Sequence, residues 1–175
     1  ESRSLFHAVP LACASALTFD LAAAAAVSMG SADVIDGIET LLDNSLLQQI
    51  DADIALLGEG SGPQGEEVRF RMLSVVRHYA AEHLQAQPIQ STIRRRLAAF
   101  CLGIAQRAET NLRNAEQVYW LRRLEVELPN IRAALRWCLD SDMPAEQETG
   151  LRLAAALTLF WYGAGHFVEA ERWLQ

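Results

Sequence analysis

Three groups of residues in this chain have types and spacings that bear on chemistry. The first is Gly58-Glu59-Gly60-Ser61-Gly62, whose glycines suggest a phosphate cradle. A cradle needs a strand before it, a helix N-terminus after it and local positive potential. Here a strand follows the glycines, and Glu59, Glu66 and Glu67 would repel phosphate, so the run reads as a loop. The chain has no lysine, which excludes a Walker A loop. The second group is His78 and His83. At this spacing on a helix they point about 140° apart, whereas zinc wants i, i+4 ligands and further donors nearby. No other Cys or His is close in sequence, so no metal site is expected. The third is Ser45 and Ser74. Both fall at element boundaries, where serine usually satisfies backbone groups. No nucleophile–base–acid spacing surrounds either one, and no catalytic residue is assigned.

Arginine is the other chemically distinctive residue. Arg94-Arg95-Arg96 and Arg122-Arg123 form clusters, with Glu109, Glu125 and Glu127 as natural partners on neighbouring helical turns. The bland expectation is a solvated, paired helix face. The sharper one is an intramolecular contact with an acidic or nucleotide-bearing domain. Charge is unevenly placed within the net −7 of the 175 residues. Residues 1–68 hold eleven acids and only Arg3, while residues 69–175 hold eleven acids and fourteen arginines. The three cysteines, Cys13, Cys101 and Cys138, are scattered, which suits reduced thiols in a cytoplasmic protein better than a disulfide framework. No apolar run is long enough to span a bilayer, and no signal-peptide pattern opens the chain.

The elements that position these residues are mostly helical. Glu1–Ala8 reads as a helix end interrupted by Pro10. Thr18 is a plausible N-cap for an Ala-rich helix, Phe19–Met29, ended by Gly30. Ser31 then caps a second helix, Ala32–Leu42, with Val34, Ile35, Ile38, Leu41 and Leu42 on one face. Leu46–Ile50 and Val68–Met72 read as a β-hairpin around the glycine loop. This order of elements is a winged-helix pattern, with the loop as the wing.

From Leu73 onward, helical stripes follow one another. They comprise Val76, Tyr79, Ala80, His83 and Leu84; then Ile93, Leu97, Phe100, Cys101, Ile104 and Ala108; then Val118, Leu121, Leu124 and Leu128. Pro129 suits the first residue of a fourth helix that buries Ile131, Ala134, Leu135 and Cys138. A polar linker, Asp140–Glu148, leads to a long helix, Thr149–Tyr162. A Gly163–Gly165 turn and a last helix complete a unit like the start of a tetratricopeptide array. The expected fold is therefore mainly α: a winged-helix subdomain over 1–86, linker helices over 87–142, and the start of helical repeats over 143–175. Because the chain opens and stops within helical pattern, a fragment of a longer protein is expected.

A winged helix invites a DNA-binding function, in which the second helix enters the major groove. Its polar positions are Asp33, Asp36, Glu39 and Asp43, with no base among them. Affinity for duplex rests on cations that neutralise phosphate, so this helix has the wrong sign. Docking on protein is the better expectation. DNA binding and a non-enzymatic helical scaffold stand as the alternatives.

Several segments then agree, in order, with one family. VRFRMLSVVRHYAAEHL (from Val68), LLDNSLL (from Leu41), WLRRLEVELPNIRAALRW (from Trp120) and FWYGAGHFVEAERWL (from Phe160) resemble segments of bacterial STAND signalling ATPases, the class with NB-ARC-like cores. The resemblance covers nearly the whole chain. It implies a P-loop ATPase core before the winged helix and a superhelical sensor after it, with ATP or ADP bound only in the full-length protein. It also implies a transcriptional-regulatory role, in which these helices hold the core closed until the sensor is engaged. In plant and other eukaryotic relatives, a Met-His-Asp motif approaches the nucleotide. Here Met72 keeps the Met, while Leu73 and Ser74 stand at the His and Asp positions. By that resemblance Arg71, Ser74 and Arg77 are the nucleotide-proximal candidates. Arg94, Arg95, Arg96, Trp161, Phe167 and Trp173 are the interaction candidates. The expected partners are the upstream nucleotide-binding domain and downstream repeats. Self-association is also expected, through an apolar surface of Leu153, Leu157, Phe160, Trp161, Phe167 and Trp173. Nucleic acid and membrane are not expected partners.

Overall fold

The computed structural model describes residues 18–28, 33–50, 68–85 and 88–174. The segment around Pro10, Cys13, Ser31 and the glycine loop at 58–62 lie outside these residues. The described chain is mainly helical, with a small three-stranded antiparallel sheet. It falls into two compact units, divided between Leu97 and Ala98.

In the first unit, β1 (Phe19–Asp20) precedes α1 (Leu21–Val27) and α2 (Asp33–Asp43), then β2 (Leu47–Ile50), β3 (Arg69–Met72) and α3 (Ser74–Gln85). The start differs from the sequence expectation. Thr18 is not the cap and Phe19 is not helical. Asp20 caps α1, its carboxylate accepting the Ala23 N–H at 2.6 Å, since an aspartate satisfies an orphan first-turn donor well. Phe19 is then released to pair with Phe70, the rings 5.7 Å apart. The sheet is therefore not a bare hairpin. β3 is central, flanked by β1 and β2. Buried Arg69 holds β1 through Asp20 at 4.0 Å and the Thr18 hydroxyl at 3.3 Å.

α2 ends in a turn with Ser45 in the left-handed region, φ 56°. The Ser45 and Leu46 N–H groups return to the carbonyls of Leu42 and Leu41 at 2.8 and 2.9 Å, which satisfies the last orphan acceptors of the helix. Val34, Ile38 and Leu41 are buried as the periodicity predicts, but Ile35 is 54% exposed. On α3, Ala80 is buried, whereas Tyr79, expected in the apolar stripe, is 69% exposed.

α4 (Gln90–Asn111) is one long helix. In the second unit α5 (Gln117–Leu139) packs on α6 (Pro144–Ala156), followed by α7 (Thr158–Ala164) and α8 (Phe167–Leu174). The largest correction is Pro129, which sits inside α5 and starts nothing. Proline there deprives the Glu125 carbonyl of its helical donor. The helix continues because one stripe, Leu124, Leu128, Ile131, Leu135 and Cys138, is buried on both sides of it. Burial of that stripe outweighs the missing bond. The expected linker also folds. Pro144 is the first residue of α6, and Ser141 braces the preceding turn by accepting the Met143 N–H at 3.1 Å and donating to the Glu146 carboxylate. α5 and α6 approach closely at Gly150, where a Cβ would lie 2.8 Å from Cys138 Cβ and 2.9 Å from Leu139 Cδ2. Gly165, φ 79°, ends α7 in the left-handed conformation that glycine favours. No helix among the described residues is long and apolar enough to cross a membrane.

Candidate functional site

The three nucleotide-proximal candidates lie along β3 and the first turns of α3. Arg71 is exposed on β3 and donates to the Gln48 side chain at 3.3 Å across the β2–β3 ladder. Ser74 is exposed at the first residue of α3, and its carbonyl lies 3.3 Å from His78 Nδ1. Arg77 is half-buried one turn on. His78 is engaged with its own helix, and among the described residues no group of three or more His, Cys, Asp or Glu side chains could hold a metal ion.

The arginine triplet divides by position on α4. Arg95 is exposed. Arg96 reaches back to the Ser28 carbonyl at the end of α1, so it joins two helices of the first unit. Arg94 is half-buried, and loss of hydration lowers its pKa from the ordinary arginine value. The other cluster departs further from a solvated face. Arg123 is buried and pairs with Glu127 at 3.4 Å, while Asn130 Nδ2 donates to the same carboxylate at 2.8 Å. Glu127 and Asn130 are fully buried, so this is a polar inclusion in the helical core. Cys101 and Cys138 are buried too. Desolvation, then the charge of Glu127 and the neighbouring Cys138, push the Cys101 thiol well up. Burial, then Glu146, pushes Cys138 up to about 11. Both therefore remain protonated thiols at neutral pH.

The expected apolar docking surface is mostly interior. Leu153, Leu157 and Phe160 have no exposed surface and Trp161 only 1%. Trp161 is thus a core residue rather than a contact residue. Phe167 is 59% exposed and Trp173 half-buried. Around those two lies a polar constellation that the sequence reading missed. Arg132 donates two hydrogen bonds to Glu169, at 2.8 and 2.6 Å. Trp173 Nε1 adds a third at 3.3 Å. His166 meets Glu125 at 2.7 Å. The Arg132 hydrogen bond, ahead of opposing desolvation, holds the Glu169 carboxyl below its usual range. The available signal was the i, i+4 spacing of Glu169 and Trp173, which puts both on one helical face.

On α2, Asp36, Glu39 and Asp43 are exposed, alongside the half-exposed Ile35. Compared with known proteins, the chain matches no family model, no curated protein and no solved structure.

Proposed function

We propose that this chain is the winged-helix and linker-helix section, with the first tetratricopeptide-like unit, of a STAND-type regulator in bacterial cytoplasm. In this reading it performs no covalent chemistry. It couples a helical sensor array to a nucleotide switch in transcriptional regulation by docking on protein. The ATP or ADP belongs to the full-length protein, with Arg71, Ser74 and Arg77 facing it. The four sequence segments quoted above support the family. The strand–helix–helix–strand–strand–helix order of the first unit, with its three-stranded sheet, supports the winged-helix assignment.

One observation carries the choice of a protein partner over duplex DNA. The outer surface of α2 presents Asp36 and Glu39 beside Ile35, and no arginine occurs anywhere in the helix. A groove-reading helix must face phosphates, which repel such a surface. An apolar residue ringed by acids suits a protein interface with a basic rim.

The test measures the chain against two partners at about 0.15 M salt, where surface charge is screened as in a cell. The first is the nucleotide-binding core encoded by the same gene, loaded with labelled ADP. The second is a mixed-sequence duplex. Association with the core that weakens in Ile35→Asp, without a duplex shift, is the expected result. A duplex complex at that salt, abolished by Asn44→Ala or Ser45→Ala, would establish the DNA-binding alternative instead. Micromolar ATP binding by this chain alone would also count against the assignment.

A further inference from the structure

The constellation around Glu169 borders an open recess of about 520 Å³ between α5 and α8. Its lining includes Arg132, Arg136 and Arg172, the aromatic rings of Phe167 and Trp173, and Glu169. That volume lies in the range of protein binding sites, roughly 300–1,000 Å³. We propose that this recess docks an acidic peptide segment of a protein partner, with Arg136 and Arg172 holding its carboxylates and Phe167 and Trp173 taking an apolar side chain between them. The proposal deepens the reading of this chain as a docking module. It also rests on that reading for the existence of a protein partner.

The three guanidiniums are not equivalent. Arg132 is engaged, with two short bonds to Glu169, and it fixes α8 on α5. Glu169 in turn accepts three hydrogen bonds, two from Arg132 and one from the Trp173 indole. Arg136 stands one turn along α5 from Arg132 and is exposed. Arg172 is exposed and lies over the Trp173 ring, 5.2 Å from its centroid. Neither has a carboxylate within ion-pair reach among the described residues. Stacking on the indole orients the Arg172 fork and leaves its N–H edge available. An arginine fork matches a carboxylate with two parallel hydrogen bonds.

The apolar side of the recess is equally incomplete. Phe167 is 59% and Val168 83% exposed. Two cations without a carboxylate partner among the described residues, beside exposed apolar groups on a chain of net charge −7, form a local exception that calls for a negatively charged, partly apolar occupant. Other anionic surfaces fit less well. A duplex presents a continuous line of phosphates, and two arginines beside Glu169 and Glu171 give that line too few partners. An anionic membrane is recognised by clusters of about four to eight basic residues. A peptide needs only a few carboxylates and one apolar side chain.

The probe is a short fluorescein-labelled peptide of glutamate and leucine, followed by anisotropy with the 175-residue chain. Its glutamine-for-glutamate version is the control. The expected result is saturable binding that falls as salt rises and is lost with the glutamine peptide. Arg136→Glu and Arg172→Glu should each weaken it about tenfold or more, a change of about 1.4 kcal/mol. Arg136→Ala should weaken it less. Arg152→Glu, on α6 and outside the recess, should leave it unchanged. Circular dichroism establishes that each variant retains its helices. Binding of equal strength to the wild type and both charge-reversed variants would overturn the proposal. So would a failure of the peptide to bind, with or without binding of phosphatidylserine vesicles or duplex through the same arginines. Failure here leaves the α2 test untouched, because that test reads a different surface in the other unit.

Discussion

At the scale of single residues, the most consequential group is Glu127, fully buried between Arg123 and Asn130. A buried ion pair is not by itself a large source of stability, but removing one member leaves the other charge uncompensated. Glu127→Ala should therefore lower unfolding free energy by about 3–5 kcal/mol in urea titration, while replacing Arg123 and Glu127 together with Met and Leu should cost much less. Equal losses for the single and double variants would show that the two side chains do not act as a pair. The buried thiols give a second residue-scale prediction. With Cys13 replaced by Ser, Ellman's reagent should reach neither Cys101 nor Cys138 at neutral pH until the protein is unfolded. Rapid labelling of either in the native protein would contradict their placement in the core.

Elements meet at two designed points, and each has its own signature. At Gly150 the backbones of α5 and α6 lie too close for a methyl group. Gly150→Ala gains helix propensity of about 0.5–1 kcal/mol, yet it drives the new Cβ against Cys138 and Leu139. Net destabilisation of about 1–3 kcal/mol is expected from such overpacking, read as a lower midpoint in denaturant. At the α5–α8 contact the sign of the pH effect follows from Glu169. Its folded pKa lies below the unfolded value of about 4.3, so the ion pair contributes stability above that pH. The contribution is lost as pH falls through the lower folded value. Protection of the α8 amides, taken relative to their intrinsic exchange rates, should fall in that acid window, and Arg132→Ala should remove this pH dependence by lowering protection at every pH.

Element boundaries mark where sequence and structure part. The 3.6-residue stripe of α4 was legible because burial repeats along it. Pro129 was misleading because local propensity placed a helix start there, and a stripe running from Leu124 to Cys138 overrode it. Asp20 was misleading in the opposite way, since Thr18 is also an acceptable cap by type. Only the pairing of Phe19 with Phe70, distant in sequence, decides between them.

Over the whole molecule, charge is the property best read without coordinates. The pI near 5.1 predicts a solubility minimum close to that pH, where net repulsion between molecules vanishes. Turbidity across a pH series would check it, and a minimum above neutrality would contradict it. What composition could not give is the sorting of charges into roles. The arginines look alike along the sequence. Yet Arg69 and Arg123 lie in the interior, Arg96 reaches the end of α1, and Arg136 and Arg172 face the recess. Burial and partner distance assign those roles, and both depend on residues far apart in the chain. The interaction candidate Trp161 shows the same limit: an aromatic on a helix is a core residue or a contact residue according to what packs on it.

Arg69 has a further consequence for how the small sheet is assembled. β3 is only four residues long, and its register decides which of its side chains face the core. A shift by one position would send Phe70 towards the side that Arg71 now occupies and carry the guanidinium away from Asp20 and Thr18. The slipped pairing would thus expose an aromatic ring and strand a cation without its carboxylate. Arg69 acts as an error-checking device: it makes the wrong alignments costly, so that three short strands settle on one arrangement. Arg69→Leu should accordingly leave the strands capable of forming while broadening the amide spectrum of β1 and β3 into several interconverting sets.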